Sequence, residues 1–224
     1  MIVPAMTEWE VVRDAVKDFP ALNRKMQRPM ELLARRHKKG DRKAVLDEIH
    51  AYHAPTGNNW YVVLRYCKAG IQIFHFAWYR GRDGHLRAVY VRENGSTAFH
   101  FSYHVFVQYS SRFSPDVTAQ ERMRQFFLNN YMYVCHEVDP LADEREVITS
   151  VNQGWLFGVM DEEENLLYLT TFVDQGKFFP NQHRLEERLE FERSLGGLTP
   201  GQKAQVLAKL KETPQEEEWL RKAS

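Results

Sequence analysis

The stretch from Trp60 to Phe101 constrains the fold more than any other part of this sequence. Three β-branched and aromatic runs, WYVVLRYC, IQIFHFAWY and HLRAVYVR, are followed by a short one from Thr97 to Phe101. Lys68-Ala69-Gly70, Gly81-Arg82-Asp83-Gly84 and Asn94-Gly95 separate them. A parallel crossover needs roughly a dozen residues, so neighbours this close pair antiparallel. Further runs at Tyr131 to Val138, Val147 to Val151, Trp155 to Met160 and Leu166 to Val173 extend the strand pattern, with a turn at Asp161–Asn165.

Helical patterns surround these strands. Thr7-Glu8-Trp9-Glu10 is a capping box, after which Trp9, Val12 and Val16 recur at helical spacing. Phe19-Pro20 breaks that helix. A second helix turns Leu22, Met26, Met30 and Leu33 inward with an interruption or kink at Pro29, and a third holds Val45, Leu46 and Ile49. Two central helices are expected. One runs from Ser102 to Phe113, and the other opens at Thr118-Ala119-Gln120-Glu121 and buries Met123, Phe126 and Phe127. The charged segment from Asn181 to Leu195 and the one opened by Thr199-Pro200 read as a helical tail. The expected class is α+β: an antiparallel sheet of five to eight strands with an N-terminal helical cap, two central helices and a helical C-terminal tail. The corresponding divisions are a helical basic region at 1–55, an α+β core at 56–180 and a charged helical tail at 181–224.

Composition narrows the function classes. At 43% hydrophobic residues the chain can bury a core, while no apolar run reaches the roughly 18 residues of a membrane span. The first residues lack a basic segment followed by an apolar one, and Cys67 and Cys135 form no CxxC. A reduced, cytoplasmic, non-membrane protein is expected. Phosphate-loop, dinucleotide-fingerprint and serine-elbow motifs are absent, and no cofactor is expected.

Zero net charge conceals an asymmetry. Lys and Arg number 18 against 10 Asp and Glu through Phe113, and 12 against 20 beyond it. The densest basic stretch runs from Arg24 to Lys43, with Arg24, Lys25, Arg28, Arg35, Arg36, Lys38, Lys39, Arg42 and Lys43 against only Glu31 and Asp41. It is an electrostatic footprint suited to RNA, which Arg35, Arg36, Lys38, Lys39, Arg42 and Lys43 would bind. The alternative is that basic and acidic halves dock on each other, in one chain, in a homodimer or on a protein partner.

One segment has the residue types of chemistry. On a helical wheel, Val105, Phe106, Tyr109 and Phe113 share an apolar face. His104, Gln108, Ser111 and Arg112 form a polar stripe, with His104 and Arg112 roughly 12 Å apart along the axis. An imidazole can take the proton of a ribose 2′-hydroxyl, and a guanidinium can stabilise the resulting phosphorane. Tyr109, Ser111 or Thr171 would supply a hydroxyl to the phosphate. A competing constellation is His100 with His104, whose HxxxH spacing suits zinc, with a third ligand from His136, Glu137 or His75.

The pattern His104-x-Phe106-x-x-Tyr109-x-x-Arg112-Phe113, followed by Leu169-Thr170-Thr171-Phe172-Val173, resembles an uncharacterised family of small bacterial proteins over roughly Trp60 to Gln182. More remotely it is similar to RelE-like, colicin-type and EndoU-type endoribonucleases. That resemblance implies a metal-independent endoribonuclease of toxin or defence type. His104 would be its acid or base, Arg112 its phosphate ligand and Thr171 its strand threonine. Gln108 stands where those enzymes carry a first arginine. A non-catalytic interaction or assembly protein is the alternative, and a metal-dependent hydrolase the weaker one.

Overall fold

The computed structural model describes residues 1–39, 46–67, 70–92, 97–131, 133–137 and 146–174. Nine strands form one mixed sheet among them, flanked by four helices. Helices α1 (Glu8–Val16) and α2 (Phe19–Lys39) come first. They are followed by strands β1 (Leu46–His53), β2 (Asn59–Cys67), β3 (Gly70–Arg80), β4 (Leu86–Val91) and β5 (Ala98–Phe101). Helices α3 (Tyr103–Phe113) and α4 (Ala119–Asn129) intervene before β6 (Val134–Glu137), β7 (Glu146–Val151), β8 (Gly154–Asp161) and β9 (Leu166–Asp174).

Hairpins build each half. The strand order is β1-β2-β3-β4-β5-β9-β8-β7-β6, and every neighbouring pair is antiparallel except one. That exception corrects the all-antiparallel expectation. β5 and β9 run parallel, with Ala98 opposite Leu166 and Phe101 opposite Leu169. Two helices and three strands lie between these partners, ample chain for a crossover.

The apolar runs are continuous because both faces of the sheet are covered. Along β2, Trp60, Val62 and Leu64 join one core while Tyr61 and Val63 join the other. The first core lies under α1 and α2, with Val11, Ala15, Leu22, Met26 and Leu33 fully or nearly buried. The second lies under α3 and α4, where Phe76 stacks on Phe127 with centroids 3.9 Å apart. Burying each such side chain contributes roughly 1.5–3 kcal/mol.

The first helix is capped as its sequence demands. Thr7 Oγ1 accepts from the Glu10 amide at 3.3 Å and Glu10 accepts from the Thr7 amide at 2.8 Å. Val11, Val12 and Ala15 are buried on its inward side and Trp9 packs partly buried against the same core, whereas Val16, expected in the same spacing, is exposed. α2 is continuous through Pro29, so the expected interruption is absent.

The helix expected around Val45, Leu46 and Ile49 is a correction of type: Leu46–His53 is the edge strand β1, paired with β2 over its whole length. A short apolar run fits either period, and here eight ladder positions on β2 decide it. Residue 55, where the sequence suggests a boundary, lies between β1 and β2 inside one compact unit spanning Met1–Lys177. The expected helical tail falls outside the described residues. Among the described residues no helix is long and apolar enough to cross a membrane.

Candidate functional site

Helix α3 occupies a notch in the sheet. β5 ends at Phe101, so the second half of β9 loses its strand neighbour on that side. The polar side of α3 replaces that neighbour. The Ser102 amide donates to the Leu169 carbonyl at 2.9 Å and its hydroxyl to the Thr170 carbonyl at 3.1 Å. One turn and a half further on, Gln108 Oε1 accepts from the Phe172 amide at 2.6 Å. Arg112 then closes the row with an ion pair to Asp174.

These contacts assign work to residues that the sequence offers for chemistry. Gln108, neutral where a nuclease would carry an arginine, is the acceptor for a backbone N–H that no strand can satisfy. Replacing it with alanine is expected to lower stability by about 1 kcal/mol, read as a shift in the urea midpoint. A loss below a few tenths would mean that water replaces the bond fully. Ser111 bonds back to the Gln108 carbonyl at 2.8 Å.

The remaining candidates diverge. His104 is exposed, with its ring against Tyr103 at 3.9 Å between centroids. Tyr103 in turn stacks on His85 at 4.1 Å and 13° between planes, giving a surface row of three rings. Tyr109 is buried in the core, where its hydroxyl donates to Gln153 at 3.1 Å and accepts from Asn129 at 3.0 Å. Thr171 projects from the other side of the sheet. Leu167 and Leu169 face α3, a bulge at Phe157/Gly158 takes up Thr170, and Phe172 resumes the α3 face, leaving its neighbour Thr171 opposite. Gly158 permits that bulge, since a Cβ there would lie 1.9 Å from the Tyr168 carbonyl oxygen. The structure therefore brings His104 and Arg112 onto one helix side, engages Arg112 with Asp174, and does not bring Tyr109 or Thr171 to them.

The histidines of the competing zinc constellation are also separated. His100 is buried on the α1 side of β5 beside Tyr79, whose hydroxyl lies 3.1 Å from Nε2. Burial, with the charge of Arg87 adding to it, lowers its pKa to about 4. His75 is buried beside the Phe19 ring at 5.3 Å, and burial lowers its pKa to about 4 as well. His104 lies on the solvent side of α3, so HxxxH does not form one face. No group of three or more potential metal ligands occurs among the described residues. The side chains of His136 and Glu137 lie outside them.

Of the basic run, Arg35 and Arg36 are exposed on α2. Arg36 pairs with Glu48, and Arg35 approaches Glu31 at 3.9 Å. Lys38 and Lys39 end the helix, and Arg42 and Lys43 lie outside the described residues. Arg24, Lys25 and Arg28, the first members of the basic stretch, are exposed on the same helix. The helical period places them outward once Leu22, Met26 and Leu33 point in, which was legible from spacing alone. Compared with protein-family models, curated proteins and solved structures, the chain matches none.

Proposed function

We propose that the chain is a non-catalytic assembly protein in which the cationic face of α2 on one copy docks the acidic β8–β9 turn of another. The observation that supports this reading is the separation of exposed charge. α2 presents Arg24, Lys25, Arg28, Arg35 and Arg36, with Glu31 the acid among them. The turn between β8 and β9 carries Asp161, Glu162, Glu163 and Glu164, of which Glu162 and Glu163 are exposed. Patches of opposite sign attract and orient partners before contact. A two-fold arrangement makes such a contact twice. An acidic protein surface suits this face better than a base-stacking ligand, since its exposed residues are the five arginines and lysines, Asn23, Gln27, Glu31 and Leu32 rather than aromatic rings.

Sedimentation velocity tests the reading. Association is expected at about 20 mM salt and its loss at about 500 mM, where charges are screened within a few ångströms. Arg24→Glu with Arg28→Glu should abolish it, and mixing that variant with Glu163→Arg protein should restore it. A monomer at every salt concentration sinks the proposal. The ribonuclease reading is supported by the exposed His104 and requires Arg112 to leave Asp174. RNA cleavage in excess EDTA that disappears in His104→Ala would put that reading in place of this one.

A further inference from the structure

The described residues hold a polar cavity of about 280 Å³ that neither α3 nor the α2 face explains. It opens between the segment leading into α1 and the β3–β4 hairpin, and Thr7, Glu8, Tyr79, Gly81, Arg82 and Arg87 line it. Its charged groups are held in place by the fold. Arg87 reaches Asp83 at 2.9 Å and Glu8 at 3.6 Å through its two terminal nitrogens. Arg82 donates to the Ala5 carbonyl at 2.9 Å. Tyr79 forms part of the inner wall, its hydroxyl positioned by the buried His100.

Two observations suggest that this is more than a gap between loops. Among the described residues Arg87 Nε is buried without a hydrogen-bond partner, an arrangement that leaves a charged donor unsatisfied. Gly81 is buried, and its φ lies outside the left-handed range that marks Gly57, Gly70 and Gly84. Backbone freedom therefore does not call for glycine there; space does. A Cβ at position 81 would lie 2.8 Å from Arg87 Nε and 2.9 Å from an Asp83 carboxylate oxygen. A glycine thus makes room for a guanidinium at the cavity wall.

We infer that this cavity is a binding site for a small zwitterion of the free amino acid class. Arg82 and Arg87 offer charge-assisted donors to a carboxylate, and Glu8 offers an acceptor to an ammonium. The volume lies just below the range that takes drug-sized ligands, which limits the occupant to a small metabolite. A ligand with a single charge meets one half of this set, whereas a zwitterion meets both.

Isothermal titration of the intact chain with each of the twenty common amino acids tests the site, with sodium acetate and methylammonium chloride as single-charge probes. At least one amino acid is expected to bind, and to bind at least about tenfold more tightly than either probe. Arg87→Ala removes two ion pairs and endangers the fold, so the informative variant is Arg82→Gln, whose side chain is exposed. It should weaken binding about tenfold while leaving the unliganded melting temperature unchanged. Gly81→Ala, by displacing Arg87, should weaken binding as well. The inference is overturned if no amino acid binds at about 10 mM, if acetate binds as tightly, or if Arg82→Gln binds like the parent.

Discussion

Asp18→Ala is expected to cost about 3–5 kcal/mol of folding stability, among the largest losses available to a single side chain here. Asp18 is 1% exposed and lies between α1 and α2. Its carboxylate accepts from Thr56 Oγ1 at 2.6 Å, Asn58 Nδ2 at 2.9 Å and Trp60 Nε1 at 2.9 Å. Its carbonyl meanwhile accepts from the Leu22 amide at 2.9 Å, starting α2. One residue thus ties the helical layer to the β1–β2 turn. Alanine leaves the three donors without their common acceptor, two of them on buried residues, and each orphaned buried donor costs about 1–3 kcal/mol. The substitution Asp18→Asn keeps one acceptor oxygen but turns an amide N–H₂ toward donors, so it should recover only part of the loss. Urea unfolding of both variants measures this, and a loss below about 1 kcal/mol for alanine would mean that water or a neighbour replaces the carboxylate.

The second large effect is acid lability. His75 and His100 have pKa values of about 4 in the folded chain against 6.5 ordinarily, because burial disfavours the charged ring. Above pH 6.5 both rings are neutral in either state, and the full stability is present. As pH falls from 6.5 toward 4, the unfolded chain takes up protons that the folded chain refuses, so stability declines. Below about 4 the loss from these groups is complete. The shift corresponds to roughly 3 kcal/mol for each ring. Urea midpoints measured between about pH 7.5 and 4 should fall steeply below 6.5. His75→Phe, which keeps an aromatic ring beside Phe19 and cannot take up a proton, should remove about half of that slope. An unchanged slope in this variant would assign the acid sensitivity to other groups.

Much of the architecture was legible in the sequence, because local chemistry decided it. The capping threonines at 7 and 118 each receive the expected backbone amide, at 3.3 and 3.2 Å. The runs in the middle of the chain became antiparallel strands because their connections allow little else. What failed depended on distant partners. β1 reads as a helix until β2 is placed beside it, and the parallel seam joins residues far apart in sequence.

The candidate site was legible in part, for the same reason. The wheel on α3 found Val105, Phe106 and Tyr109, which are buried, but also placed Phe113 on that face, and Phe113 is 42% exposed at the helix end. The wheel put His104, Gln108 and Arg112 on one side. It could not show that β9 would need that side, because Asp174 and the Phe172 amide lie far along the chain from their partners on α3. Thr171 was displaced by a bulge, which shifts the alternation of a strand by one residue and moves a hydroxyl across the sheet. Arg82 and Asp83 read only as a hairpin turn, and nothing in that tetrapeptide announces that Arg87 and Glu8 meet beside it.

The β5–β9 seam has a kinetic consequence. On either side of it, strands assemble with neighbours in sequence, so each half can begin to order through short-range encounters. The seam brings together Ala98 and Leu166, and that encounter must close a long loop before its four ladder positions and the α3 contacts stabilise it. Joining the two hairpin arrays is therefore the step with the greatest entropic demand on the path to the native sheet.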